Sequence, residues 1–267
     1  MRVALPGDHH LHVRVHGEGG PDVLLVHGWV VSGDVWHGVI ERWPARGAGR
    51  LLAVDLRGAG WSGKPDAGYT IDDHAADLIG VIDALGLSRV VLVGHSMGGV
   101  IAQRVAVERP DALARLVLVC PVPASGQTID AETFAFLHAQ CGHHDGIAQL
   151  ITPTIVGEVE PSVRDRLLVS AAATVDAALH EALDSFPNAR FHERLAALTM
   201  PTMVIGGEQD PVVPLALVQA EVAGRIAGAA LTVLPECGHY PMLELPAQLT
   251  ALLREQVAAA IEAEPAR

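Results

Sequence analysis

Nowhere in this chain do 18 apolar residues follow one another without a charge or a break, so no transmembrane helix and no membrane partner are expected. A secretory core is missing as well. "MRVALPGDHHLHVRV" meets histidine and arginine before one can form, and no signal peptide is expected. Cysteine is scarce: Cys120, Cys141 and Cys237 are odd in number and widely spaced. That excludes a disulfide framework and suits a reducing, cytoplasmic setting. Positive charge is also in short supply, with 18 basic residues against 31 acidic ones and a net charge of −13. The imbalance argues against a nucleic-acid or anionic-membrane partner. Lysine is nearly absent, Lys64 standing alone among arginines, a codon signature of a GC-rich bacterial genome.

What is present is an ordinary globular composition, half hydrophobic and 18% charged. A chain of 267 residues is long enough to bury about three quarters of its unfolded surface in one large domain. "HHLHVRVHG" alternates, with Leu11, Val13 and Val15 on one face and His10, His12, Arg14 and His16 on the other. This pattern predicts a half-buried strand near a sheet edge, its histidines forming a solvated face rather than a metal site. "DVLLVHG" (22–28), "RLLAVD" (50–55) and "VVLV" (90–93) are continuous apolar runs, as strands covered on both sides require. "LARLVLVC" (113–120), "TMVIG" (202–206) and "ALTVL" (230–234) add further strands. Helical spacing appears at 32–43 (capped by Ser32 or Asp34), at 71–85 behind a Thr70/Asp73 capping pair, after Ser96, around 214–227 and from Pro246 onward. Alternation of strands and helices at this pitch predicts an α/β fold, a mostly parallel sheet with helices on both faces.

The stretch 122–199 breaks the rhythm and contains no convincing strand. It reads as a helical insertion over one end of the sheet. Within it, 162–186 is expected to form one long amphipathic helix with Leu168, Ala171, Ala172, Val175, Leu179, Ala182 and Leu183 on its stripe. The domain reading is therefore a core of 1–121 and 200–267 with a cap at 122–199. The tail "EAEPAR" is expected to fray.

Gly94-His95-Ser96-Met97-Gly98 lies where a buried strand must turn sharply into a helix. A G-x-S-x-G pentapeptide in that context is a nucleophile elbow: the serine takes a strained backbone conformation that stands its hydroxyl clear of the sheet. The following helix points N–H groups and its positive end at the same place.

The chain resembles the α/β-hydrolase family along almost its whole length. "HGW" (27–29), "DLRGAGWSGKP" (55–65), "GHSMGG" (94–99), "GGEQDPVVP" (206–214) and "CGHYP" (237–241) occur in the family's order. The resemblance implies an eight-stranded sheet with a small helical cap and a cofactor-free, metal-free Ser-His-Asp hydrolase. A serine hydroxyl needs a base; His239 is the expected one, alone among 14 histidines in a loop between a late strand and the terminal helix. The other histidines take bland roles: His95 fills the variable elbow position, His27 braces its turn, and His143 and His144 lie in a cap loop. The carboxylate that fixes the base's tautomer is expected to be Asp210, with Glu208 as the neighbouring alternative and Asp130 at the family's less common acid position. By resemblance, the oxyanion donors are the backbone N–H groups of Trp29 and Met97, and the Trp29 ring walls the pocket. Asp55 and Arg57 are expected to tie loops together, and Cys237 to pack as a small buried residue.

The expected function is hydrolysis of a carboxylic ester or lactone through an acyl-enzyme, by a monomer or homodimer acting on a small molecule. Serine at the elbow argues against epoxide opening and halide displacement, which use an aspartate there. Carbon–carbon bond hydrolases and cofactor-free perhydrolase or haloperoxidase-like enzymes share the constellation, and a ligand sensor on the same fold is the non-enzymatic alternative. The 122–199 segment carries ten acidic residues against Arg164, Arg166, Arg190 and Arg194. That field favours uncharged, largely apolar substrates unless one of those arginines faces inward.

Overall fold

The strands of the chain, seen in a computed structural model that describes residues 1–263, are β1 (Arg2–Leu5), β2 (His9–His16), β3 (Asp22–Val26), β4 (Arg50–Asp55), β5 (Val90–His95), β6 (Leu113–Val119), β7 (Thr202–Gly207) and β8 (Ala230–Leu234). They form one sheet in the order β1-β2-β4-β3-β5-β6-β7-β8. β2 is antiparallel to both β1 and β4, and the other pairs are parallel. The helices are α1 (His37–Arg42), α2 (Ile71–Ala84), α3 (Met97–Glu108), α4 (Ala131–Gln140), α5 (His144–Ile151), α6 (Pro161–Ala171), α7 (Asp176–Ser185), α8 (Leu215–Glu221), α9 (Pro241–Glu244) and α10 (Pro246–Glu262). Residues 264–267, most of the tail expected to fray, lie outside the described residues.

The continuous apolar runs are explained by two separate cores. Leu24, Val26, Leu52, Val54 and Leu92 face one way, onto Leu78 and Ile82 of α2 and Ile101 and Val105 of α3. Their neighbours Val23, Leu25, Leu51, Ala53, Val91 and Val93 face the other, onto Val39 of α1 and Leu253 and Val257 of α10. A strand with a core on each side has no polar face to show. Thr70 and Asp73 form a reciprocal capping box on α2, and Ser32 accepts the Asp34 N–H to start the 3₁₀ turn Gly33–Trp36 that precedes α1.

Three features differ from the expectation. β2 lies next to a sheet edge, as expected, but the edge strand beside it, β1, is unread in the sequence and pairs with β2 only as far as His12. Val15 lies beyond that paired stretch and is 42% exposed, while Leu11 and Val13 are fully buried. The histidines of β2 are not a bare solvated face either. His9, His12 and His16 bond Asp77, Asp55 and the Trp43 carbonyl.

The expected long helix at 162–186 is two helices. α6 ends at Ala171, and the Val175 backbone is extended (φ −77°, ψ 147°) before α7 begins. The Val175 N–H donates to the Gly58 carbonyl at 3.0 Å, so a bond to the loop after β4 replaces the helical one. Ala172, assigned to the apolar stripe, is exposed. The 122–199 segment otherwise holds α4 to α7 with short 3₁₀ turns and no strand.

The chain leaves β3 for β4 on one side, then returns to place β5 on the other, pairing Val26 with Gly94. Where a parallel sheet reverses its winding, the loops at the carboxyl ends of adjacent strands part and leave a crevice. The loops carrying Trp29 and Ser96 border it.

Candidate active site

Ser96 sits between β5 and α3 with φ 54° and ψ −119°, a conformation that costs a non-glycine residue about 1–3 kcal/mol. The turn is tight enough that a Cβ on Gly94 would collide with the Gly98 carbonyl oxygen, and one on Gly98 with that of His27. Glycine at both positions is a steric requirement. The Ser96 N–H donates to Val119 O at 3.0 Å, and its carbonyl accepts from Val122 and Gly99. These bonds stitch the elbow to the end of β6.

Ser96 Oγ lies 2.9 Å from His239 Nε2, and His239 Nδ1 lies 2.8 Å from Asp210 Oδ2. All three residues are buried. The other Asp210 oxygen accepts the N–H groups of Val212 (2.8 Å) and Val213 (3.0 Å). Burial works to raise the Asp210 carboxyl, but the charge and hydrogen bond of His239 and these backbone donors outweigh it and hold the group below the usual carboxylate range. An ionised Asp210 accepts a hydrogen bond from Nδ1–H, which leaves the Nε2 lone pair facing the serine hydroxyl. Chemically, the arrangement is a hydroxyl with a base in contact and the base's tautomer fixed.

The alternative acids lie elsewhere. Glu208 is exposed and accepts the Glu236 N–H. Asp130 caps α4 by accepting the Thr133 N–H. Neither Trp29 nor Met97 donates its backbone N–H to any group among the described residues, so both donors beside Ser96 are unspent.

His95 donates from Nε2 to the His239 carbonyl at 2.8 Å, and burial next to His239 pushes its imidazole down to about 3. It is a neutral strut. His27 likewise braces its turn, accepting the Leu56 N–H on Nε2 and donating from Nδ1 to Gly28 O. Asp55 accepts the N–H groups of Gly33 and Trp61, and Arg57 pairs with Asp77, as loop-tying residues do. Cys237 is fully buried.

Glu244 was not singled out in the sequence, and it organises the loop that carries His239. Its carboxylate accepts four backbone N–H groups: Val156 (3.0 Å), Gly157 (2.8 Å), Gly238 (2.9 Å) and Tyr240 (2.9 Å). Two of those donors belong to the 122–199 segment and two flank His239. In the sequence Glu244 is an ordinary glutamate in a short helix, with no spacing to mark it.

Cys120, Asp210 and His239 bring one ligand atom each to within 4.8 Å of one another, a grouping that the sequence reading did not foresee. Asp210 and His239 are already engaged with each other, and burial raises the Cys120 thiol well above its ordinary range. A metal there would have to displace that proton and part the pair.

A cavity of about 130 Å³ opens above Ser96 and His239, lined by Trp29, Ile129, Leu137, Leu150, Phe186 and Val212 among others. Trp29 walls it as expected, its ring 6.0 Å from Phe186 and its Nε1 donating to Leu179 O at 2.9 Å. Among the described residues, no Asp, Glu, Lys or Arg lines it. Arg166 pairs with Asp34, Arg194 with Glu108, and Arg190 bonds backbone carbonyls. A larger hollow of about 570 Å³, flanked by Trp61 and Val169, shares none of these lining residues.

A sequence model of the alpha/beta hydrolase family matches residues 23–252. The chain belongs to that family. It is 29% identical to a non-heme haloperoxidase of Rhodococcus erythropolis, over 84% of this chain and 86% of the relative. It is 28% identical to a 2-hydroxymuconate semialdehyde hydrolase of Pseudomonas sp. (strain CF600), over 94% and 92%. Among solved structures it resembles a thermophilic esterase from Thermogutta terrifontis, determined with malate bound. That match has 26% identity, a TM-score of 0.85, and covers 97% of this chain and 98% of that one. Among the described residues of this family member, no helix is long and apolar enough to cross a membrane.

Proposed function

We propose that this chain is a serine hydrolase that cleaves a carboxylic ester or lactone of a small, uncharged, largely apolar substrate. The observation that carries the reading is the unbroken line Ser96 Oγ–His239 Nε2 (2.9 Å) and His239 Nδ1–Asp210 Oδ2 (2.8 Å) at the floor of a cavity without charged walls. In this reading His239 takes the Ser96 proton as Oγ bonds to the substrate carbonyl carbon. The carbonyl π electrons move to oxygen, and the N–H groups of Trp29 and Met97 receive the resulting oxyanion. Collapse of the tetrahedral intermediate breaks the C–O bond and passes the proton from His239 to the leaving alkoxide. Water then repeats the sequence on the acyl-enzyme and releases the acid and Ser96.

A carbon–carbon bond hydrolase reading has a named relative, but the word muconate denotes a carboxylate-bearing substrate. Among the described residues the cavity offers no Arg or Lys to receive one. The haloperoxidase-like reading uses the same serine and base. The test is turnover of aryl esters and γ-lactones with stoichiometric labelling by a fluorophosphonate. Ser96→Ala should lose the label, and Ser96→Ala and His239→Ala should each lose at least about 10³-fold in kcat with the fold intact. Full turnover in Ser96→Ala overturns the proposal.

A further inference from the structure

The side chains lining the cavity can be accounted for atom by atom. Trp29 has spent its Nε1–H on Leu179 O, and Thr154 has spent its hydroxyl on Ile151 O at 2.7 Å. Ser96 and His239 are engaged with each other. Two polar groups remain. Gln127 donates from Nε2 to the Val212 carbonyl at 2.6 Å. Because the partner is a carbonyl, the amide nitrogen must face it, and Oε1 is turned away with no partner among the described residues. Tyr240 also lines the cavity, and its hydroxyl has no partner among the described residues. Burial, with Asp210 and Glu244 nearby, raises the phenol, so it stays protonated and able to donate. Neither oxygen is among the sealed, unpartnered polar atoms of the described residues, so both are open to a ligand in the cavity.

We infer that the substrate carries an uncharged hydrogen-bonding group, a hydroxyl or an amide, which Gln127 Oε1 and the Tyr240 hydroxyl receive within the otherwise apolar cavity. The inference rests on the ester-hydrolase reading and narrows its substrate class. Gln127 and Tyr240 thereby become specificity-determining residues. At about 130 Å³ the cavity is small, so the group belongs on a short acyl chain or on a small lactone ring, close to the reacting carbonyl. A carboxylate in its place would meet an amide oxygen that offers no positive charge. A plain alkyl chain would leave both groups unpaired. Sites built to bond a substrate hydroxyl discriminate strongly against analogues lacking it.

The experiment compares 4-nitrophenyl butyrate with its 2-hydroxy and 3-hydroxy analogues. Each kcat/KM is divided by the ester's own hydroxide-catalysed rate, to remove the inductive effect of the hydroxyl. In the wild-type protein at least one hydroxylated ester should exceed butyrate about tenfold, the value of one hydrogen bond to a buried group. Gln127→Met and Tyr240→Phe should each bring that ratio toward one. Butyrate itself supplies the internal control in each variant, so a general loss of activity leaves the ratio readable. A wild-type ratio near one for both analogues, or a ratio unchanged in both variants, overturns the inference while leaving the ester-hydrolase reading standing. Failure of the wild-type protein to turn over any of the three esters overturns that reading, and this inference with it.

Discussion

His239 donates its main-chain N–H to the main-chain carbonyl of Thr154 at 3.0 Å. The proposed base is thus anchored to the helical segment that roofs the cavity as well as to the sheet below. Gly238 on one side of it and Tyr240 on the other share the Glu244 carboxylate with Val156 and Gly157. A lid that swung away as a rigid body would therefore disturb the imidazole it uncovers.

Glu244→Gln follows directly. An amide places an NH₂ against donors that need an acceptor, and hydrogen bonds to a charged group contribute about 1.5–3 kcal/mol. We expect kcat to fall roughly 10- to 100-fold with KM changed by less than about threefold, because the base shifts while the substrate's walls stay. Glu244→Asp should recover part of the loss. Steady-state kinetics at saturating ester reads this, and wild-type kcat in Glu244→Gln contradicts it.

Ser96→Gly should make the protein more stable as it removes activity. Glycine adopts φ 54° without the steric cost that serine bears there. Relief of that strain, less the extra freedom glycine has when unfolded, leaves a gain of about 1 kcal/mol. Urea unfolding with an unchanged m-value measures it. A midpoint at or below that of wild type would mean that the elbow stores no strain.

Acidification should unfold the protein through buried histidines. Burial lowers His74 and His95 from 6.5 to about 3, with Arg57 adding to the effect at His74 and His239 at His95. Their folded values are depressed, so the unfolded chain binds more protons between pH 6.5 and about 3. Stability then falls as pH drops through that window, by roughly 1 kcal/mol per pH unit for each histidine, and levels off below it. Asp210, held below the usual carboxylate range, adds a loss only at the acid end. Tm measured from pH 7 to 5 should decline in wild type and decline less steeply in His74→Gln. Parallel slopes would remove His74 from the account.

Neutral esters should outrun their carboxylate-bearing analogues in kcat/KM, and the gap should narrow at high salt as the negative field of the roof is screened. Among the described residues no arginine lines the cavity to reverse that order. An anionic ester that wins at low salt would contradict the neutral-substrate proposal.

The candidate site was legible wherever a glycine- or proline-rich loop follows an apolar strand. Ser96, Asp210 and His239 all occupy such places, and the steric demand for Gly94 and Gly98 is written into the pentapeptide itself. The fold was legible for the same reason, since two-sided burial leaves unbroken apolar runs. What escaped depends on contacts between distant positions. The gap between α6 and α7 falls in an Ala/Thr/Val stretch whose periodicity runs through it; only the bond from Val175 to Gly58 marks the break. The contacts of Glu244 and Gln127 and the cavity position of Tyr240 depend on loops that no local pattern connects to them.

Strand order has a consequence for how the proposed site assembles. Ser96, Asp210 and His239 follow β5, β7 and β8, and the sheet sets these side by side only after β6 has taken its place between β5 and β7. Each of those parallel pairings closes a long loop, the slow kind of step in folding. On the ester-hydrolase proposal, a chain refolding from denaturant should not turn over an ester until β8 has docked and brought His239 with it. Recovery of turnover should therefore time the completion of the sheet, and a chain that stalls before β8 joins should be silent however much of its secondary structure has formed.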